Sequence, residues 1–204
     1  MSPATAFSMS LAELLGGLVD GLDGSVARIT ATGLTLDSRR LTPGDLFIAL
    51  RGEAHDGHAY LADAAGAGAV AALVEETPAS SAADLPTVRV PGLRRRIGEI
   101  AARFYAHPSA AMHVTAVTGT NGKTTVSQLI ARLVRAAGYG CGVIGTLGAT
   151  VDGSIEASTH TTPDAVALQR RLAEWAGEAL PFVSMEASSH ADRKSTRLNS
   201  SHYS

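Results

Sequence analysis

The chain has 204 residues, of which 45% are hydrophobic and 18% charged, and its formal net charge is -2 at pH 7. This composition excludes wholesale disorder and fits one or two packed domains. The slightly acidic charge argues against a nucleic-acid-binding protein, which normally carries a basic surface. The sequence shows no signal-peptide pattern and no apolar run of about 20 residues, so we expect a cytoplasmic protein without a membrane partner.

The first half of the chain predicts a small α/β domain over residues 1–110. Ser10 and Glu13 have the spacing of a capping box at the start of a leucine-rich helix. Four short apolar strands are predicted, over residues 33–36, 45–50, 69–74 and 87–90. Two further helices are predicted among and after them, over residues 60–67 and 93–105. This βαβ-like pattern is typical of an independent α/β unit.

The second half predicts a parallel sheet, because strands and helices alternate along it. Its strands are predicted over residues 113–118, 142–146 and 182–186. One helix follows the first strand and ends at Gly138, and another covers residues 164–175. The first of these helices has one apolar face, formed by Val126, Leu129, Ile130, Leu133, Val134 and Ala137. Three strands and two helices cannot cover both faces of a parallel sheet, so we predict a truncated domain over residues 111–191.

The composition changes near Asp192. Residues 193–202 are polar and partly basic, unlike the segments rich in alanine, glycine and leucine that precede them. This run resembles translated vector sequence, and we predict a non-native tail over residues 192–204. The alternative is a natural basic tail.

The strongest chemical signal is a loop between a predicted strand and a predicted helix, with the sequence Gly119, Thr120, Asn121, Gly122, Lys123, Thr124, Thr125. Its glycines let the backbone approach a phosphate, towards which the amides of the helix N-terminus point. Lys123 would add a positive charge for the phosphates, and Thr124 a hydroxyl for Mg²⁺. A standard P-loop has glycine where Val117 stands, so this is a shortened variant that points away from generic P-loop kinases. The alternative is an ordinary glycine-containing turn.

Three other segments carry candidate site residues. Glu186 ends an apolar strand, at the sheet edge where α/β proteins bind ligands, and its carboxylate can hold Mg²⁺; the alternative is a solvated acid. His190 could contact nucleotide or metal, or be a loop histidine bonded to the backbone. The polar loop over residues 160–164 suits an anionic substrate, although by itself it predicts only a helix cap.

The remaining candidates are weaker. The segment 37–39, with the sequence Asp-Ser-Arg, predicts by itself only a turn. The cluster over residues 55–58 contains two histidines and an aspartate, which are too few ligands for a closed metal site, so we expect no metal there. Cys141, the single cysteine, has no neighbouring base and is interpreted as a small packed residue.

Six segments in this order resemble the MurE branch of the Mur ligase family, over about residues 10–191. They are residues 34–39, 43–50, 56–60, 119–125, 161–164 and 185–190. The loop over residues 119–125 is shared by all Mur-type ligases. The segments 37–39, 161–163 and 185–190 together indicate the MurE branch.

The resemblance implies a small domain that binds a UDP-linked substrate, followed by a P-loop-type ATP-binding domain of which only part is present. The implied activity is that of an ATP-dependent amide ligase of peptidoglycan synthesis. It would add diaminopimelate, or with less support lysine, to the γ-carboxylate of UDP-MurNAc-L-Ala-D-Glu through an acyl phosphate. ATP and Mg²⁺ would be required, with Lys123 and the metal screening the repulsion between anions. We expect a monomer with no nucleic-acid partner.

The resemblance also assigns residues to the substrates. Those matching contacts to the UDP end are Leu36, Ser38, Glu53, Ala54 and His55. Those matching contacts to the muramoyl-dipeptide are His160, Thr161, Thr162 and Ser188. The loop over residues 119–125 matches the ATP site, and Thr124 and Glu186 match the Mg²⁺ environment. The residues assigned to catalysis are Lys123, Glu186 and His190.

The chain departs from the family pattern after His190. The family's carbamoylated lysine and the glutamine and arginine expected beside it are absent, Asp192 stands where an apolar residue is expected, and the amino-acid-binding domain is missing. We therefore expect the chain as written not to ligate. Two alternatives stay open, a UDP-sugar-binding module with a vestigial nucleotide loop and another Mur-type ligase, such as a MurF-like or folylpolyglutamate synthase-like enzyme.

Overall fold

The protein is represented by a computed structural model that describes residues 7–52, 56–76, 85–145, 148–151, 154–156 and 164–187. The chain divides into two compact units between Phe104 and Tyr105. No helix within the described ranges is long and apolar enough to cross a membrane. The predicted tail over residues 192–204 lies outside these ranges.

The first unit is built around a parallel sheet. Its strands are β1 (Met9–Ser10), β2 (Thr30–Ala31), β3 (Gly33–Thr35), β4 (Asp45–Ala49), β5 (Ala71–Val74) and β6 (Thr87–Arg89). Its helices are α1 (Leu11–Leu15), α2 (Gly24–Ala27), α3 (Leu61–Gly66) and α4 (Leu93–Phe104), with 3₁₀ turns at Ser38–Arg40 and Gly57–Tyr60. Strands β3, β4, β5 and β6 pair in parallel in that order, and β1 pairs with β2 antiparallel. The predicted strands and helices are confirmed to within two residues at each end, whereas β1, β2 and α2 were not predicted.

The apolar runs of β4 and β5 are explained by burial on both faces of the sheet. Every residue of these two strands is buried. Phe47 and Ala49 pack with Leu61 and Ala64 of α3 on one face. Asp45, at the start of β4, is buried as well, and its carboxylate accepts hydrogen bonds from the backbone and side chain of the preceding turn. A parallel sheet covered on both sides requires continuous apolar strands of this kind.

Helix α1 is held at both ends by side chains. The predicted capping box is confirmed, because the Glu13 amide donates to Ser10 Oγ at 3.3 Å and the Ser10 amide donates to Glu13 Oε2 at 3.1 Å. At the other end, the guanidinium group of Arg103 on α4 donates to the carbonyl oxygens of Leu14 at 2.9 Å and Gly16 at 2.7 Å. These bonds satisfy carbonyls that a helix C-terminus leaves without intrahelical partners.

The second unit contains a mixed sheet. Its strands are β7 (His113–Val117), β8 (Cys141–Gly145), β9 (Gly148–Val151), β10 (Ser154–Glu156) and β11 (Phe182–Glu186). Its helices are α5 (Lys123–Ala136) and α6 (Ala165–Gly177), with a 3₁₀ turn at Pro108–Ala111. The strand order is β10-β9-β8-β11-β7, with β7, β11 and β8 parallel and β9 and β10 antiparallel. The predicted parallel strands are confirmed, and two antiparallel strands that were not predicted, β9 and β10, extend the sheet. Strands β9 and β10 are short and lack the apolar run by which the other strands were found.

Helices α5 and α6 pack on opposite faces of this sheet. On β8, Ile144 packs in a cluster with Leu172 and Trp175 of α6, whereas Val143 and Cys141 pack against Ala131 of α5. Alternate residues of a strand point to opposite faces, so the two helices lie on either side. Cys141 is fully buried in the cluster on the α5 side, in agreement with its interpretation as a packed residue.

The apolar face predicted for α5 is only partly packed against the sheet, because Val134 contacts the cluster of Ala131, Cys141 and Val143 while other residues of this face are exposed. Val126, Leu129 and Leu133 are 44%, 49% and 71% exposed, whereas Ser127 and Ala131 are fully buried. Small side chains let the helix backbone approach the sheet closely. Leu129 lies two residues from both Ser127 and Ala131, which is about 200° around the helix, and it therefore points away from the sheet.

Candidate nucleotide-binding site

The loop between β7 and α5 depends on two glycines. Gly119 has φ +150° and Gly122 has φ +79°, which is the left-handed conformation that favours glycine. Gly122 is also the N-cap residue of α5. The chain can therefore turn sharply from the end of β7 into the first turn of the helix.

The N-terminus of α5 faces this loop without a capping side chain. Gly122 makes no side-chain cap, and the first intrahelical bond runs from the Val126 amide to the Gly122 carbonyl oxygen at 2.9 Å. The Ser127 hydroxyl donates to the Thr124 carbonyl oxygen at 3.1 Å and fastens the first turn. Free amides and the positive end of the helix dipole make such a terminus suitable for an anion.

Lys123 is the cation of the loop. Its Nζ donates to the Gly119 carbonyl oxygen at 2.8 Å and lies 3.4 Å from the Thr120 carbonyl oxygen. The ammonium group is therefore held over the loop, beside the start of α5. This placement concentrates positive charge where the backbone amides converge.

Glu186 lies at the same edge of the sheet as the loop. In the parallel pairing of β11 with β7, Glu186 is opposite Val117, and the Ala187 amide donates to the Val117 carbonyl oxygen at 2.8 Å. The Glu186 side chain is 6% exposed. A cavity of about 290 Å³ is lined by Glu186 together with loop residues Thr120, Asn121, Gly122, Lys123, Thr124 and Thr125. The structure thus brings the predicted loop residues and the predicted strand-end carboxylate together.

The oxygen donors of this cavity suit Mg²⁺ bound together with phosphates. Thr124 supplies a hydroxyl and Glu186 a carboxylate. Among the described residues no group of three or more histidine, cysteine, aspartate or glutamate side chains could hold a metal ion. Mg²⁺ needs no such cage, because it is usually held by one or two carboxylates, water and substrate phosphates. The residues present therefore fit this ion.

In the first unit, two predicted substrate residues follow β3. Leu36 and Ser38 are half-buried, and Ser38 opens the 3₁₀ turn after the strand. Between them, the Asp37 carboxylate accepts hydrogen bonds from the Arg39 amide at 3.1 Å and the Arg39 Nε at 2.8 Å. The hydrogen bond from the Arg39 side chain lowers the pKa of Asp37 to about 2. These hydrogen bonds stabilise the turn after β3, with Ser38 at its start.

A similar turn follows β4. The Asp56 carboxylate accepts hydrogen bonds from the His58 amide at 3.0 Å and Arg51 Nε at 3.1 Å. These bonds, with the His58 amide the larger cause, lower the pKa of Asp56. The Asp56 carboxylate therefore stabilises its own turn and also binds the side chain of Arg51.

Several predicted site residues lie outside the described residues, and the structure does not place them. They are Glu53, Ala54, His55, His160, Thr161, Thr162, Ser188 and His190. Sequence reasoning also missed Gly145 at the end of β8, which lies beside Glu186, because a Cβ atom built on it would meet that side chain. Its signal is a glycine at a strand end, which often marks a close approach by another group.

Two family models match the chain. One, described as "Mur ligase family, catalytic domain", matches residues 30–105, and the other, "Mur ligase middle domain", matches residues 117–203. Together these two models cover most of the chain.

Curated relatives of the chain carry the name UDP-N-acetylmuramoyl-L-alanyl-D-glutamate--2,6-diaminopimelate ligase. The protein from Alkalilimnicola ehrlichii is 47% identical over 169 residues, which are 78% of this chain and 34% of that protein. The protein from Pseudomonas aeruginosa is 45% identical over 77% of this chain and 33% of its own length. The one from Bacteroides thetaiotaomicron is 39% identical over 90% of this chain and 38% of its own length. The chain thus spans about a third of the curated relatives that it matches.

Solved structures agree with these sequence matches. A structure titled as a UDP-N-acetylmuramoyl-L-alanyl-D-glutamate--2,6-diaminopimelate ligase superposes with a TM-score of 0.77 and 32% identity, over 92% of this chain and 37% of that one. A structure of MurF from Acinetobacter baumannii superposes with a TM-score of 0.61 at 21% identity, over 90% of this chain and 36% of that one, which shows a shared fold.

Proposed function

This chain belongs to the Mur ligase family, and from that premise we propose that the loop over residues 119–125 and Glu186 bind ATP with Mg²⁺ for amide-bond formation. One observation carries the proposal. A glycine-rich loop, a lysine, an uncapped helix N-terminus and a buried carboxylate line the same cavity. Carboxylate and hydroxyl oxygens beside bound phosphates are the ligands that Mg²⁺ prefers, so this combination of groups suits a metal-bound nucleotide.

Different groups of the cavity bind the phosphates and the metal ion of the nucleotide. The amides of the first turn of α5 and the Lys123 ammonium bind phosphate oxygens and screen their charge. The Thr124 hydroxyl and the Glu186 carboxylate hold Mg²⁺. When bound, ATP would supply the phosphoryl group that activates a substrate carboxylate for attack by an amine, and Mg²⁺ would neutralise part of the phosphate charge. Positioning and electrostatic stabilisation suffice for such a transfer, so the site needs no covalent nucleophile.

We propose UDP-MurNAc-L-Ala-D-Glu and diaminopimelate as the substrates of the whole protein. The support is the name shared by relatives that are 39% to 47% identical to this chain. In the first unit, the ordered turn around Leu36 and Ser38 is a candidate for the contact with the UDP end. A nucleotide-linked substrate and ATP support the cytoplasm as the compartment. The shared cavity of Lys123, Thr124 and Glu186 favours nucleotide use over UDP-sugar binding alone.

The ATP site is tested by calorimetric titration of the 204-residue chain with ATP, with and without Mg²⁺. We expect Lys123→Met to weaken Mg²⁺-dependent ATP binding about 10- to 100-fold, the loss expected for a hydrogen bond to a charged group. Arg132→Met is the matched control, because Arg132 is an exposed cation on the same helix, and it should change binding less than about twofold. Absence of Mg²⁺-dependent ATP binding by the folded chain, or equal affinity of the Lys123→Met variant, would overturn the proposal.

The substrate proposal is tested on the full-length gene product. Phosphate release with UDP-MurNAc-L-Ala-D-Glu and ATP should require diaminopimelate and should not be supported by lysine. Release with lysine alone would contradict the proposed amino acid without affecting the ATP site.

A further inference from the structure

Gly145 and Glu186 are neighbours on the same face of the sheet. β8 and β11 are parallel, with Ile144 paired to Met185, so the next residue of each strand lies at the same level. Ile144 and Met185 both belong to the cluster on the α6 side. Side chains alternate along a strand, so Gly145 and Glu186 both face α5. A side chain at position 145 would therefore share its space with the Glu186 carboxylate.

The distances show that this space is taken. A Cβ atom built on Gly145 would lie 2.3 Å from Glu186 Oε1, 3.0 Å from Cδ and 3.3 Å from Cγ. A carbon atom and a non-bonded carbon atom in contact with it normally lie about 3.5–4.0 Å apart. The three nearest atoms all belong to Glu186, so this one side chain accounts for the conflict.

Backbone conformation does not explain the glycine. Gly119, Gly122 and Gly148 have φ values in the left-handed region, but Gly145 does not. An alanine could therefore adopt the backbone conformation of position 145 without strain. The requirement for glycine at this position comes from the space that the Glu186 side chain occupies.

We propose that Gly145 is a positioning residue for Glu186. Because it has no side chain, it leaves the Glu186 carboxylate room to lie beside the end of β8, in the wall of the cavity that residues 120–125 also line. Any methyl group at position 145 displaces the carboxylate from this place. The consequence for Mg²⁺ rests on the proposed function, whereas the spatial coupling of the two residues does not.

The first test measures Mg²⁺ dependence. In titrations of ATP binding to the 204-residue chain at varied Mg²⁺, Gly145→Ala should raise the Mg²⁺ half-saturation concentration about 10- to 100-fold, as is typical when a residue that orients a ligand is changed. Affinity for ATP without Mg²⁺ should stay unchanged. Gly142→Ala is the matched control, because it adds the same methyl group to the same strand but on the opposite face, against Trp175. Measured below its melting temperature, it should leave the Mg²⁺ half-saturation within about twofold of wild type.

The second test is a double-variant cycle on thermal stability. Glu186→Ala removes the group with which a Cβ at position 145 collides, so Gly145→Ala should lower the melting temperature less in the Glu186→Ala background than in the wild-type background. If Gly145→Ala does not fold by itself, the double variant should recover folded protein. Additive effects of the two substitutions, or persistent misfolding of the double variant, would refute the spatial coupling.

The outcomes separate this inference from the proposed function. A wild-type Mg²⁺ half-saturation in folded Gly145→Ala overturns the positioning role and leaves the ATP site standing. If the wild-type chain shows no Mg²⁺-dependent ATP binding, the proposed function fails, and the stability cycle alone decides whether Gly145 positions Glu186.

Discussion

Replacing Gly142 by alanine should destabilise the second unit, because the added methyl group would collide with the indole ring of Trp175. Gly142 lies on the face of β8 that is covered by α6, and a Cβ built on it lies 2.6 Å from Cζ3 of the ring and 2.9 Å from Cε3 and from Cη2. Trp175 is 3% exposed and packs in a cluster with Leu172 and Met185. The ring therefore cannot move without displacing its neighbours.

The size of the effect follows from these distances. Carbon atoms in contact normally lie about 3.5–4.0 Å apart, so the indole ring must move away from β8 by about 1 Å. Overpacking of this kind in a filled core costs about 1–3 kcal/mol. A loss of about 2 kcal/mol in a unit of this size lowers the melting temperature by about 8–16 °C.

Thermal unfolding followed by tryptophan fluorescence measures this loss directly, because Trp175 is the single tryptophan of the chain. Gly98→Ala is the control, since a Cβ built on Gly98 in α4 meets nothing within 4 Å. Alanine is favoured over glycine in a helix by about 0.5–1 kcal/mol, so this control should stabilise the first unit slightly, as measured by circular dichroism.

The reasoning would be refuted if Gly142→Ala unfolded at the wild-type temperature with unchanged tryptophan emission. Equal losses from Gly98→Ala and Gly142→Ala would also count against it, because the effect would then be unrelated to the indole ring.

Two further predictions concern the first unit. Arg103→Ala should lower the stability of this unit to urea by about 1–3 kcal/mol, because the carbonyl oxygens at the end of α1 lose a charged donor. Arg103→Lys should recover only part of this loss. An unchanged stability of Arg103→Ala would contradict the role of the guanidinium group. Asp37 has a folded-state pKa of about 2, against about 3.9 when unfolded. Its stabilising contribution is therefore full above about pH 4 and is lost as the pH falls towards 2. Urea unfolding should show Asp37→Asn to be less stable than wild type at pH 7 and nearly equal at pH 2, and an equal difference at both pH values would contradict this.

Features that depend on neighbouring residues could be predicted from the sequence. The capping box of Ser10 and Glu13 joins residues three positions apart, and the turn at Gly122 depends on the conformation of a single residue. The apolar runs of β4 and β5 are long enough to reveal burial. These elements form where short-range contacts and burial agree, so their sequence pattern is sufficient.

Features that depend on packing partners could not be predicted. Strand β9 pairs with β8, and β10 pairs with β9, so both are stabilised by pairing at the sheet edge rather than by an apolar pattern of their own. Leu129 and Leu133 belong to the apolar face predicted for α5 but are exposed, whereas Ser127 and Ala131 are buried. Helix periodicity identifies which residues share a face, but the depth of packing against the sheet decides which face is buried.

The same division applies to the candidate site. The sequence by itself determined that a glycine-rich loop with Lys123 joins a strand to a helix, because each part is formed by adjacent residues. Only the tertiary structure decided that Glu186 lines the same cavity, because β11 lies between β7 and β8 in the sheet. It also decided that Gly145 leaves room for that carboxylate. Strand order is set by long-range pairing and core packing, which bring together residues far apart in the chain.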